Sequence, residues 1–104
     1  MYTFVEAPLF TKLVGEYLTD SEYAALQLAL SENPELGDVI PGSGGVRKVR
    51  WGTRGRGKRG GVRVVYFVRK DPGVIWMLTI YAKNVAENIP LQLLRRIRKE
   101  IEDA

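Results

Sequence analysis

Histidine and cysteine are both absent from this 104-residue chain. Without cysteine there is no disulfide framework and no thiolate nucleophile, a composition that fits the cytoplasm. Without histidine the commonest acid–base residue and the commonest metal ligand are missing. Any catalysis must run on other side chains, and neither a metal nor a cofactor is expected. Long hydrophobic runs are missing too: nothing approaches the roughly 18 apolar residues of a membrane span. The N-terminal MYTFVEAPLF lacks a signal-peptide layout, so no membrane partner is expected.

The third absence is regional. Residues 39–70 contain ten Lys or Arg and no acid, whereas residues 1–38 hold one Lys against seven acids, a net of −6. Residues 71–104 balance at five of each. The overall charge of +4 therefore hides one contiguous basic block behind an acidic first third. Ordinary surfaces intersperse the two signs. A block of ten cations is the electrostatic footprint of a polyphosphate partner, usually nucleic acid.

What is present organises into one domain, residues 1–104, with a single hydrophobic core drawn from its 45% apolar residues. Residues 2–6 read as a first strand. Pro8 suits a first helical turn, and Leu9, Phe10, Leu13, Val14, Tyr17 and Leu18 recur at helical spacing. Thr19 and Glu22 form a capping-box signature for a second helix that buries Tyr23, Leu26 and Leu30 and stops before Pro34. Residues 35–45 read as a loop. Strands follow over residues 46–51, 62–69 and 74–83, the last two joined by the turn Asp71-Pro72-Gly73. Pro90 opens a final helix with Leu94, Ile97 and Ile101 on one face. The order β-α-α-β-β-β-α places the chain in the α+β class.

Two phosphate-loop patterns occur in the basic block, and both fail on context. Residues 55–60 match G-x-G-x-x-G, and residues 52–58 match the opening of a P-loop. Each motif needs a helix to begin inside it, so that N-terminal amides face the phosphates. Here a strand follows, and Arg59 stands where a P-loop needs Ser or Thr. What remains is a glycine-softened loop whose Arg54, Arg56, Lys58 and Arg59 suit contact with a nucleic-acid backbone.

Strand alternation sorts the other cations. If Val49 and Trp51 face the core, Lys48 and Arg50 lie together on the opposite side. If Val62, Val64, Tyr66 and Val68 are core, Arg63 joins Lys48 and Arg50. Tyr81 and Lys83 share one side near the end of the last strand. Such a set can attack a phosphodiester through the RNA's own 2′-OH without histidine. Guanidinium groups stabilise the phosphorane by bidentate contacts, and a lysine crowded by arginines is eased towards the neutral form that a general base requires.

The order of elements, the strands VRKVRW and GGVRVVYFV, and the segment LTIYAKNVAENI resemble the RelE/HigB toxins of type II toxin–antitoxin systems, in the RelE/ParE superfamily. The resemblance spans essentially the whole chain. It implies a small RelE-like fold: an antiparallel-rich twisted sheet packed against two N-terminal helices, with a C-terminal helix. It also implies an endoribonuclease that cuts messenger RNA in the ribosomal A site. A cognate antitoxin silences such enzymes, usually carrying a helix-turn-helix domain, so operator DNA is met only through that antitoxin.

On this resemblance Arg63 matches the phosphate-stabilising arginine of a G-x-R-x-x-Y strand. Lys48 and Arg50 match the paired cations of the preceding strand, although a one-residue shift nominates Arg47. Lys83 lies in the AKN segment, where Asn84 replaces a second basic residue. The family's C-terminal tyrosine has no counterpart, since Pro90 falls near its position, and Tyr81 is the available substitute. Arg63, Lys48, Arg50 and Lys83 are thus the catalytic candidates. Arg47, Arg54, Arg56, Lys58, Arg59 and Tyr81 are the RNA-binding candidates. The Gly-rich insertion is more like HigB relatives than RelE. A ParE-like toxin that poisons gyrase, and a non-catalytic nucleic-acid-binding module, are the rival readings.

Overall fold

The computed structural model describes residues 2–52, 61–82 and 91–103. Within them lie five strands and three helices: β1 (Thr3–Glu6), α1 (Pro8–Tyr17), α2 (Asp20–Glu32), β2 (Asp38–Val39), β3 (Arg47–Trp51), β4 (Val62–Arg69), β5 (Val74–Ala82) and α3 (Leu91–Asp103). The α+β class holds. The strands form one sheet in the order β1-β5-β4-β3-β2, with β1 parallel to β5 and every other neighbour antiparallel.

Local chemistry sets the helix ends. Pro8 begins α1, where its missing N–H costs nothing. The capping box of α2 is complete: Glu22 N–H donates to Thr19 Oγ1 at 3.1 Å, and Thr19 N–H donates to Glu22 Oε1 at 2.7 Å. Glu6 pins both helices to β1, since its carboxylate accepts from Thr11 Oγ1 at 2.6 Å and from Tyr23 Oη at 2.7 Å.

The sheet is covered on both faces, which corrects the expectation of a single core. On one face α1 and α2 bury Phe10, Leu18, Leu26 and Leu30 against Val49, Val62, Val64, Tyr66, Ile75, Met77 and Ile80. On the other, Leu94 and Ile101 of α3 cover Val46, Val65, Phe67, Leu78 and Tyr81. A strand sandwiched in this way loses the polar half of its alternation. That is why VVYF in β4 is buried without a break. Leu9, counted with the apolar face of α1, is instead half exposed.

Residues 35–45 are also more than a loop, because they contain β2. The turn from β2 into β3 is held by Ser43, a fully buried hydroxyl that donates to the Ile40 carbonyl at 2.6 Å and accepts from Val46 N–H at 3.0 Å. At its other end the buried Tyr66 hydroxyl accepts from Gly37 N–H at 2.8 Å and donates to the Pro34 carbonyl at 2.9 Å. No helix among the described residues is long and apolar enough to cross a membrane.

Candidate functional site

Alternation along β3 directs Val49 and Trp51 towards the α1/α2 core and leaves Lys48 and Arg50 on the α3 face of the sheet. The register then aligns a row across three strands. Arg50 faces Arg63 on β4, and Arg63 faces Tyr81 on β5, while Lys48 lies opposite Val65 two pairs further along. Directly opposed residues in antiparallel strands have Cα atoms about 4.5–5.5 Å apart. Two arginines at that spacing repel each other, and an anion seated between them relieves the repulsion. The strands therefore gather Lys48, Arg50 and Arg63 on one face of the sheet.

Tyr81 reaches this row by a break in β5. Pairing runs Val65↔Thr79 and then Tyr66↔Met77, so Leu78 is an extra residue in β5. Ile75 and Met77 before the bulge, and Ile80 after it, all belong to the α1/α2 face. Leu78 and Tyr81 belong to the α3 face. Unbroken alternation would have placed Tyr81 with Ile75 and Met77. The bulge re-aims it and sets it beside Arg63. Its ring is only 7% exposed, packed under α3. Tyr81, an RNA-binding candidate, thus presents little of its surface to a ligand. Burial pushes the phenol's pKa up, and the positive charge of Arg63 partly counters that rise.

Arg47 sits across the sheet from this row. Its guanidinium donates to the Gly37 carbonyl at 2.7 Å and reaches the Glu35 carboxylate at 3.5 Å, where Lys70 also arrives at 3.5 Å. Lys48 and Arg50, and not Arg47, are therefore the β3 cations that share a face with Arg63. Arg54, Arg56, Lys58, Arg59 and Lys83 lie outside the described residues.

α3 is clasped over the same face by polar contacts. Arg95 Nε donates to the Gly42 carbonyl at 2.5 Å, and the Arg98 guanidinium stacks on the Phe67 ring at 5.6 Å from its centroid. Both arginines thus face the turn and the sheet.

Gly37 and Asp38 escaped the sequence reading, and Trp51 entered it only as a core residue. Asp38 pairs with Lys48 in register, and with Gly37 and Trp51 it lines a cleft of about 350 Å³ at the outer edge of β3. A strand of two residues carries no periodicity, so only the Gly37–Asp38 turn chemistry signalled it. Among the described residues no three His, Cys, Asp or Glu side chains cluster as a metal site.

No family model matches the chain. Its structure is similar to that of the E. coli toxin RelE, solved in the free state as a double arginine-to-alanine mutant. The two superpose with a TM-score of 0.61 at 17% sequence identity, covering 93% of this chain and 96% of RelE. At that identity the likeness is one of architecture: the chain has a RelE-like fold.

Proposed function

We propose that this protein is the toxin of a type II toxin–antitoxin system and acts as a ribosome-dependent endoribonuclease on messenger RNA. The observation that carries the reading is the row of Arg50 and Arg63 facing each other on adjacent strands, with Lys48 beside them and Tyr81 behind. The RelE-like fold supports it.

In this reading the 2′-OH of one nucleotide attacks the adjoining phosphorus. The P–O5′ bond breaks, and a 2′,3′-cyclic phosphate and a 5′-hydroxyl form. Arg63 and Arg50 hold the non-bridging oxygens as charge gathers on the phosphorane. Lys48, on the same face, serves proton transfer or further charge stabilisation, with Lys83 as the fourth cation. Tyr81 braces Arg63 from below. The ribosome presents the strand in its A site, and the cytoplasm is the compartment. A cognate antitoxin masks the cationic face or holds the protein off the ribosome, and operator DNA is reached only through that antitoxin.

The test is cleavage of a defined mRNA by the purified protein, with and without 70S ribosomes, mapped at nucleotide resolution. Cuts within A-site codons, seen only with ribosomes and lost in Arg63→Ala, are expected. Replication arrest with DNA damage signalling, and no cuts, would replace this reading with a gyrase poison. Salt-sensitive binding without cuts would reduce it to a nucleic-acid-binding module.

A further inference from the structure

The outer edge of the sheet ends in a step. β2 has only two residues and pairs only with Arg47 and Lys48, so β3 runs on through Val49, Arg50 and Trp51 without it. The step forms a cleft of about 350 Å³ lined by Leu36, Gly37, Asp38, Lys48, Arg50 and Trp51. Its floor is built and not incidental. A Cβ on Gly37 would lie 2.8 Å from the Lys48 carbonyl oxygen, so only glycine lets the loop approach β3 this closely. The Tyr66 hydroxyl fixes Gly37 from below.

Trp51 is half-buried against the α1/α2 core, and it also borders a second cleft of about 400 Å³ with Ser21, Glu22, Ala25 and Gly52. The indole is thus a partition between two open clefts. Around it the chemistry is mixed: two cations, Lys48 and Arg50, and one exposed carboxylate, Asp38. A bare phosphate has no use for the indole and is repelled by Asp38. An apolar peptide has no use for two cations. Trp51 leaves β3 on one face and Lys48 and Arg50 on the other, and all three border the cleft at its edge. A nucleotide straddling that edge uses all of these groups, with its base on the indole, its phosphate on the cations and its exocyclic amino group on the carboxylate.

We propose that this cleft is a nucleobase subsite for single-stranded RNA, with Trp51 as its stacking wall, Lys48 and Arg50 as phosphate contacts and Asp38 as the acceptor for a base amino group. Resting on the nuclease reading, it extends that reading to base preference. Arg50 belongs both to the cleft and to the Arg63 row, so the bound base neighbours the phosphate held by Arg63. Bases bearing an amino group, above all cytosine, are favoured over uracil, which offers Asp38 no amino group.

The chain has two tryptophans, so Trp76→Phe leaves Trp51 as the sole reporter. The probes are uncleavable 2′-O-methyl tetranucleotides of cytidine or uridine, titrated at low salt and followed by Trp51 fluorescence and by anisotropy of a labelled strand. Saturable quenching is expected, with cytidine bound about tenfold more tightly than uridine. Asp38→Asn, an exposed change that leaves the fold alone, is expected to bring the two within about twofold of each other.

Binding with Trp51 emission unchanged would overturn the proposal, as would quenching with no base preference, or no binding at all. Emission that answers to the antitoxin but to neither oligonucleotide would make the cleft a protein site and also overturn it. Failure here is separable from failure of the nuclease reading. Quenching without ribosomal cleavage keeps the subsite and removes the enzyme. Cleavage with a silent Trp51 and an Asp38→Asn cutting pattern identical to wild type does the reverse.

Discussion

Tyr66→Phe isolates a single hydroxyl whose loss should be felt at a distance. The ring is fully buried, and its oxygen holds the Gly37 amide at 2.8 Å and the Pro34 carbonyl at 2.9 Å. Phenylalanine fills the same volume, so no cavity forms and the transfer contribution is unchanged. What is lost is the partner of a buried N–H, which costs about 1–3 kcal/mol, together with one bond to a carbonyl worth about 0.5–1.5 kcal/mol. The sum is about 2–3 kcal/mol, since the carbonyl is only part-buried and regains water. With a urea slope of about 1–3 kcal/mol per molar for a protein of this size, the midpoint should fall by about 1 M at unchanged slope. At temperatures where the variant stays folded, Gly37 keeps only its bond from Arg47, and quenching of Trp51 by oligonucleotides should weaken several-fold. A midpoint within about 0.2 M of wild type would refute the account, because the bond between Arg47 and the Gly37 carbonyl would then suffice to hold the loop without the Tyr66 hydroxyl.

Arg47 and Lys48, neighbours on opposite faces of β3, should respond in opposite ways. Arg47→Ala should lower stability by about 1–2 kcal/mol through its lost bond to the Gly37 carbonyl while leaving the salt dependence of RNA binding untouched. Lys48→Ala should do the opposite, with the slope of log affinity against log salt shallower by about one. Gly61→Ala should cost at least about 1–2 kcal/mol in thermal or urea unfolding, because Gly61 has φ +67° and an added Cβ would run into the Trp51 carbonyl. Alkaline pH should destabilise the fold. Burial raises the pKa values of Tyr23, Tyr66 and Tyr81 above the ordinary value of 10.0. Their stabilising effect is then complete below about pH 10 and declines as the unfolded chain ionises first. Urea midpoints measured from pH 8 to 11 should fall only above that value, and less so in Tyr23→Phe, which lacks the phenol bound to Glu6.

How far the sequence reached depended on whether a feature repeats. The α1 and α2 boundaries rest on proline and on the Thr19–Glu22 box, which act over three or four residues, and both lie where the residues place them. The shared face of Lys48, Arg50 and Arg63 follows from period-two alternation in two uninterrupted strands. The sequence puts Tyr81 and Lys83 on one side of the last strand but does not fix which face that is. Tyr81 lies on the face of Arg63 only because Leu78 is an extra residue whose presence no local pattern announces. VIWMLTIYA is apolar on both faces, so its alternation is silent and its phase can be read only from the partner strand. The second core was hidden for the same reason, since burial on both sides erases the polar half of the pattern.

The bulge also bears on why this face can hold opposed arginines. It brings a buried phenol, in place of a third charge, to the inner end of the row, and it does so under the helix that Arg95 and Arg98 clasp to the sheet. Arg63 therefore stands between a rigid, desolvated neighbour on β5 and the exposed Arg50 on β3. Arg63 is itself half-buried, whereas Arg50 is exposed on the strand that β2 leaves uncovered beyond Lys48. Inwards from the uncovered part of β3 the row runs Arg50, Arg63, Tyr81, with Lys48 further along β3 where β2 still pairs with it. The shortness of β2, invisible in the sequence, thus leaves Arg50 uncovered at the edge, and the bulge in β5 closes the row at Tyr81, which is the shape the proposed nuclease reading requires.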